Sequence, residues 1–181
     1  MSMTFLPLST DDLSLMGRWL GRPHVKAWWR EASDPASVEA AYGPLIDGSD
    51  PTEGFIVTHE GRPLGFIQRY RLDDNPEWQR IISVGPGGRD VEGIGLDYLI
   101  GDETMTGRGL GRQMIARLVE DSWVRHPDIS AVVVAVQQGN PASWRALEGA
   151  GFHRVWEGTL DSDDPSDDGP SYLYLRRRPV G

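Results

Sequence analysis

Apolar positions recur at helical spacing near the start of the chain: Leu13, Met16 and Leu20 follow Ser9, Asp11 and Asp12 and stop before Gly21. That spacing predicts a helix with a serine N-cap, an acidic first turn and a glycine stop. Residues 22–31, RPHVKAWWRE, form a short aromatic segment of one or two helical turns, and Asp34 with Pro35 opens a second helix running to about Ile46. The period then drops to that of strands. FIVTHE (55–60) and PLGFIQRYRL (63–72) read as two strands joined through EGRP, where Gly61 suits a hairpin turn. The polar stretch from Asp73 to Gly93 reads as a loop, a lid or an insertion. GIGLDYLIG (93–101) predicts a strand, and a helix follows from about Gly109 to Arg125. Its Leu110, Met114, Ile115, Leu118, Val119 and Trp123 share one face, while Arg112, Arg117 and Glu120 lie elsewhere. AVVVAV (131–136) is apolar throughout, the pattern of a central strand buried on both faces. A short helix over about Pro141–Gly149 and the strands FHRVWEGTL and SYLYLRRR complete the chain, with DSDDPSDDGP between the strands. The order is helices, a hairpin, then β-loop-α-β-α-β-β. It predicts an α+β (α/β-like) fold, a mixed central sheet flanked by helices, in one domain over residues 1–181.

Composition narrows the function class. The chain has 181 residues, 39% apolar and 25% charged, as a soluble globular protein does. No apolar run reaches the roughly 20 residues of a membrane span, so no membrane partner is expected. The opening MSMTFLPLSTDD has neither a basic region nor a long apolar one, so a cytoplasmic location is expected. Without cysteine there is no disulfide, thiolate metal site or cysteine nucleophile. The four histidines, His24, His59, His126 and His153, show no ligand spacing, and no metal is expected. A net charge of −9 argues against nucleic acid and favours a small cationic partner, although acidity also serves solubility. Asp161, Asp163, Asp164, Asp167 and Asp168 put five carboxylates in eight residues, either a solvated loop or a fringe that steers a polycation. Monomer and homodimer both remain open.

The most informative stretch is MTGRGLGRQMIARLVED (105–121), where glycines lie between a predicted strand and a helix N-terminus. Unpaired first-turn N–H groups and the helix dipole attract anions there, and Gly107, Gly109 and Gly111 allow close backbone approach. Arg108 and Arg112 can add charge-assisted bonds. The P-loop spacing with its Lys-Ser/Thr is absent, and G-x-G-x-G is not the dinucleotide fingerprint. The alternatives are a different phosphate compound and a glycine-rich turn with no ligand.

GRGLG opening a helix, then a buried strand, then NPASWRALEGAGFHRV (140–155) resembles the GNAT superfamily of N-acetyltransferases. The resemblance implies a splayed strand before a loop that binds the pyrophosphate of acetyl-coenzyme A. Carried over, Thr106, Gly107, Arg108, Gly109, Leu110, Gly111 and Arg112 would hold the pyrophosphate. The Leu99 and Ile100 backbone would hold the acyl and pantetheine groups, and Asn140 and Ser143 would face the cofactor arm. RPHVKAWW, PLGFIQRY and GIGLDYLIG are similar to the aminoglycoside 6′-N-acetyltransferases, a group associated with antibiotic resistance. Within that group's pattern Asp97 would lie beside the sugar amine, and Trp28 and Trp29 would wall the sugar pocket. Siderophore-type lysine acyltransferases are similar over the same stretches but favour histidine at the position of Asp97. SWRALEGAGF looks more like peptide N-terminal acetyltransferases.

Three family positions differ here: a Gln or Arg at the start of the glycine loop is Thr106, a tyrosine used as general acid is Leu147, and an aspartate for a substrate ammonium is Ala135. Leu147 keeps open a coenzyme A-binding module without catalysis.

The chemistry is consistent with these residues. An amine must be neutral to attack a thioester, and a carboxylate at Asp97 could hold the ammonium and accept its proton. Backbone N–H groups near Ile100 are candidates for stabilising the oxyanion. Coenzyme A thiolate is a fair leaving group, so water or a nearby tyrosine could protonate it, with Tyr70, Tyr98 and Tyr172 as unranked candidates. Trp28 and Trp29 are adjacent and so face differently, one as a sugar platform and one as core, or both as core. Gln68 and Tyr70 alternate along their strand and either both line the pocket or are both buried.

Overall fold

A computed structural model describes residues 2–83 and 92–180. The elements run β1 (Met3–Pro7), α1 (Leu13–Leu20), α2 (Pro23–Lys26), α3 (Pro35–Asp47), β2 (Glu53–His59), β3 (Arg62–Arg71), α4 (Pro76–Ile82), β4 (Ile94–Ile100), α5 (Leu110–Arg125), β5 (Ala131–Gln137), α6 (Pro141–Gly149), β6 (His153–Thr159) and β7 (Pro170–Arg177). The strands form one mixed sheet in the order β1-β2-β3-β4-β5-β7-β6, with β4 and β5 parallel and β5–β7 and β6–β7 antiparallel.

Two expectations need correction. The chain opens with a strand rather than a helix: β1 pairs antiparallel with β2 from Met3↔His59 to Pro7↔Phe55. It is a five-residue edge strand ending in proline, too short for its period to stand out. The stretch after β3, expected as loop, contains α4. Pro76 sits in its first turn, and Ile81 and Ile82 are buried. Residues 84–91 of the suggested lid lie outside the described residues.

The chain divides into two compact units, Met1–Arg69 with Asp97–Arg108, and Tyr70–Leu96 with Gly109–Gly181. In the first, Met16, Trp19, Leu20, Val38, Tyr42, Ile56, Phe66 and Leu99 form one core, which places the stripe of α1 and α3 against the strands. The helix starts are built from local hydrogen bonds. The Ser9 backbone N–H and hydroxyl both donate to Asp12 Oδ2 (2.9 and 2.7 Å), and Asp34 accepts from the Ser37 backbone N–H (3.0 Å). The β2–β3 turn has Glu60 at φ 51° and Gly61 at φ 78°, two left-handed residues as a tight hairpin requires.

In the second unit, Leu110, Met114, Ile115, Leu118, Val119 and Trp123 are all buried, as the periodicity of α5 predicts. Ala131–Val134 of β5 are buried as a central strand should be. Leu72, Ile82, Val133 and Leu173 form a second core cluster. Leu147 is wholly inaccessible.

Candidate active site

The glycine loop follows a 3-10 turn, Glu103–Met105, which Asp102 caps by accepting from the Thr104 N–H (3.0 Å) and hydroxyl (2.7 Å). Those bonds, the hydroxyl's foremost, hold the Asp102 carboxyl below the usual carboxylate range. Thr106 turns back into the same turn, its hydroxyl donating to the Glu103 carbonyl (2.8 Å). Gly107 (φ 70°) and Gly109 (φ 74°) are both left-handed, so the backbone path itself calls for glycine. Nothing lies within 4 Å of where a Cβ would sit on either. Gly109 is the N-cap of α5, and no side chain caps that end of the helix. Arg108 and Arg112 are exposed and form no ion pair among the described residues. The Arg112 stem lies over Gly149, where a Cβ would come within 2.6 Å of its Cδ. An open approach, N–H groups that no side chain caps and two guanidinium groups without an ion pair among the described residues fit an anion of phosphate type. Asn140 is the N-cap of α6, its Oδ1 accepting from the Ser143 N–H (3.3 Å). Among the described residues that is its one side-chain hydrogen bond.

The other group of candidates lies in the first unit. Gln68 Nε2 donates to Asp97 Oδ2 at 2.9 Å, joining β3 to β4 through two half-buried side chains. The Gln68 amide orients the acid, and an ionised carboxylate is an acceptor that suits a cation. Trp28 and Trp29 are both half-buried, and Trp29 meets Phe66 edge-on at 6.0 Å between centroids. Tyr42 packs on the same Phe66 at 5.5 Å and donates its hydroxyl to Glu31 Oε2 at 2.7 Å. Burial first, then the charge of Glu31, pushes the Tyr42 hydroxyl far above the ordinary tyrosine range, and Asp97 adds to the push. Tyr42, with Glu31 on its hydroxyl, thus lies within electrostatic reach of Asp97. Tyr42 reads as a core position of α3, and no local pattern marks Glu31. Tyr70 belongs to the other unit, against Leu72, Ile82, Val133 and Leu173, with its ring pressed on Gly95.

The end of β4 is tightly held. The Gly101 N–H donates to the Leu64 carbonyl (2.9 Å), and His24 Nε2 lies 2.8 Å from the Ile100 carbonyl. A Cβ on Gly65 would fall 2.1 Å from the Leu99 carbonyl oxygen, and one on Gly101 would fall 2.2 Å from the Trp19 ring. Close packing of backbone on backbone and on indole requires glycine at both places. Among the described residues no group of three or more His, Asp or Glu could hold a metal, and no helix is long and apolar enough to cross a membrane.

Comparison with known proteins places the chain in a family. The chain is 28% identical over 181 residues to aminoglycoside N(6′)-acetyltransferase type 1 of Klebsiella pneumoniae, covering 98% of this chain and 84% of the relative. The protein of the same name from Serratia marcescens matches equally. A crystal structure of aminoglycoside acetyltransferase AAC(6′)-Ib in complex with coenzyme A superposes with a TM-score of 0.76 at 25% identity, over 98% of this chain and 95% of that one. A structure of the same enzyme with ribostamycin and coenzyme A gives 0.77 at 25% identity, over 98% and 94%. Residues 9–160 match the family described as acetyltransferase (GNAT) domain. That match takes in every element from α1 to β6, the glycine loop and Asp97 included, and the chain belongs to the GNAT acetyltransferase family.

Proposed function

We propose that this protein is an acetyl-coenzyme A-dependent N-acetyltransferase acting on a primary amine of an aminoglycoside-like aminosugar, by direct transfer in a ternary complex. The observation that carries this reading is the Asp97 carboxylate, held by Gln68 on the strand that leads into the glycine loop. When bound, acetyl-coenzyme A supplies the acetyl thioester. The α5 N-terminus, from Gly107 to Arg112, binds its pyrophosphate through first-turn N–H groups, with Arg108 and Arg112 adding charge. The Leu99 and Ile100 backbone and the side chains of Asn140 and Ser143 take the rest of the arm. Asp97 holds the substrate ammonium and accepts its proton, directly or through water, so that the amine nitrogen can attack. Trp28, Trp29 and Gln68 bound the sugar, and Tyr70, packed against the core of the other unit, has no part in it. The curated relatives are named for aminoglycoside 6′-acetylation, and solved relatives hold kanamycin or ribostamycin.

Thiol release from acetyl-coenzyme A with a panel of amines tests the reading. Aminosugars should give saturable turnover, and peptides and hydroxylysine-type amines should give little. Turnover on peptides or hydroxylysines alone would move the assignment to the N-terminal or siderophore-type acyltransferases. Coenzyme A binding with no turnover on any amine would leave a binding module.

A further inference from the structure

The end of β4 has a feature that the family assignment does not explain. The Ile100–Gly101 peptide is held at both of its polar ends. Its N–H, on Gly101, donates to the Leu64 carbonyl of β3 (2.9 Å), and its carbonyl, on Ile100, faces His24 Nε2 (2.8 Å). A trans peptide points these groups in opposite directions, so His24 stands on the edge of β4 away from β3. A carbonyl oxygen only accepts, so Nε2 carries the hydrogen. Nδ1 is buried and has no partner among the described residues, which leaves the contact with Ile100 as the ring's one hydrogen bond there. His24 is fixed in α2, between the N-cap Arg22 and buried Val25.

In an extended residue the N–H and C=O point to the same edge. The N–H of Ile100 therefore points to the edge on which His24 stands. With its carbonyl already engaged by His24, Ile100 presents a donor there beside an acceptor whose dipole is partly satisfied. An oxygen gaining negative charge is stabilised by a donor and repelled by an unpaired carbonyl dipole beside it.

We infer that His24 is a positioning residue: through the Ile100 carbonyl it fixes the last peptides of β4 and leaves the Ile100 N–H as the donor for the acyl oxygen. This inference rests on the acetyltransferase reading. His24 touches neither substrate in it and acts through the backbone.

His24→Phe keeps a ring and removes the donor, and His24→Gln restores an N–H donor of similar reach. In the wild-type protein, nitrogen NMR of His24 should show the hydrogen on Nε2. His24→Phe should raise the exchange rate of the Ile100 and Gly101 amides and lower kcat by about 10-fold, less than the roughly 10²–10³ for losing a direct oxyanion donor. Its KM and calorimetric Kd for coenzyme A should stay within about 3-fold of wild type. His24→Gln should recover most of kcat. A hydrogen on Nδ1 instead, or unchanged kcat and exchange in His24→Phe, would overturn the inference, as would equal losses in Phe and Gln variants. If His24→Phe does not fold, the wild-type NMR and the Gln variant decide it. Failure of the wild type to bind coenzyme A would overturn the acetyltransferase reading instead, and would leave the tautomer and amide exchange as independent readouts of the His24 contact.

Discussion

Asp97 and Gln68 carry the acceptor chemistry of this account, and each can be tested by a single exchange. Asp97→Asn keeps the shape and the neighbours but removes the charge that holds an ammonium and the base that takes its proton. The expected result is a fall in kcat/KM of about 10²-fold or more, with affinity for coenzyme A unchanged. Wild-type turnover in Asp97→Asn across pH 6 to 9 would make this residue structural. Leu147 illustrates the opposite case. Its side chain is wholly inaccessible, so it fills core and has no path to a leaving thiolate. Leu147→Ala is expected to cost about 2–5 kcal/mol of stability, read from denaturant unfolding.

Elements show where local sequence suffices. The N-terminus of α5 gives the direct test of the anion site. Gly109→Asp combines a left-handed φ with a negative charge at the helix start, and a folded variant should lose the rise in Tm that coenzyme A gives the wild type. Helix α3 gives a test with pH. The Asp34 carboxyl is lowered below its ordinary value, chiefly by the hydroxyl and then the N–H of Ser37. A depressed folded-state pKa stabilises above the ordinary carboxylate range and stops doing so as pH falls through the depressed value. Asp34→Ala should therefore lower Tm at neutral pH, and the gap to wild type should close below about pH 4. The same reasoning explains what could be read in the chain. The α5 face, the β5 run and the helix starts at Ser9 and Asp34 rest on periods and neighbours a few residues apart, and each is legible. β1 and α4 are too short for a period. The contacts around Asp97 are long-range: Gln68 lies 29 residues from it in the chain and His24 lies 76 from Ile100. No local pattern contains such pairs, so Gln68 and Asp97 could be named separately but not joined, and His24, Glu31 and Tyr42 were not marked for the site at all.

At the scale of the whole molecule the relevant quantity is charge. The chain carries −9, and the loop between β6 and β7 holds five of its carboxylates. Asp164 is occupied as a cap, accepting from the Ser166 N–H (2.8 Å), and Asp167 accepts from the Ser162 hydroxyl (2.6 Å). Burial raises the Asp167 carboxyl above its ordinary value. Asp161, Asp163 and Asp164 are exposed, and accepting a hydrogen bond leaves the charge of Asp164 in place, so these three can attract a polycation at a distance. Changing these three to Asn should raise KM for a polyamine aminosugar at low salt with little change in kcat. The gap should shrink by about 0.5 M salt, where the screening length is only about 4 Å. Equal salt dependence in variant and wild type would make the loop ordinary solvated surface. The central claim is acetyl transfer to an aminosugar amine, and product analysis tests it most directly. Protein, acetyl-coenzyme A and kanamycin are incubated, and the acetylated sugar is quantified by mass spectrometry and mapped by NMR against the thiol released. The account predicts one acetyl group per sugar, on the 6′ amine, in amounts equal to the thiol. Thiol release without acetylated sugar, or no release from a protein that binds acetyl-coenzyme A, would contradict it.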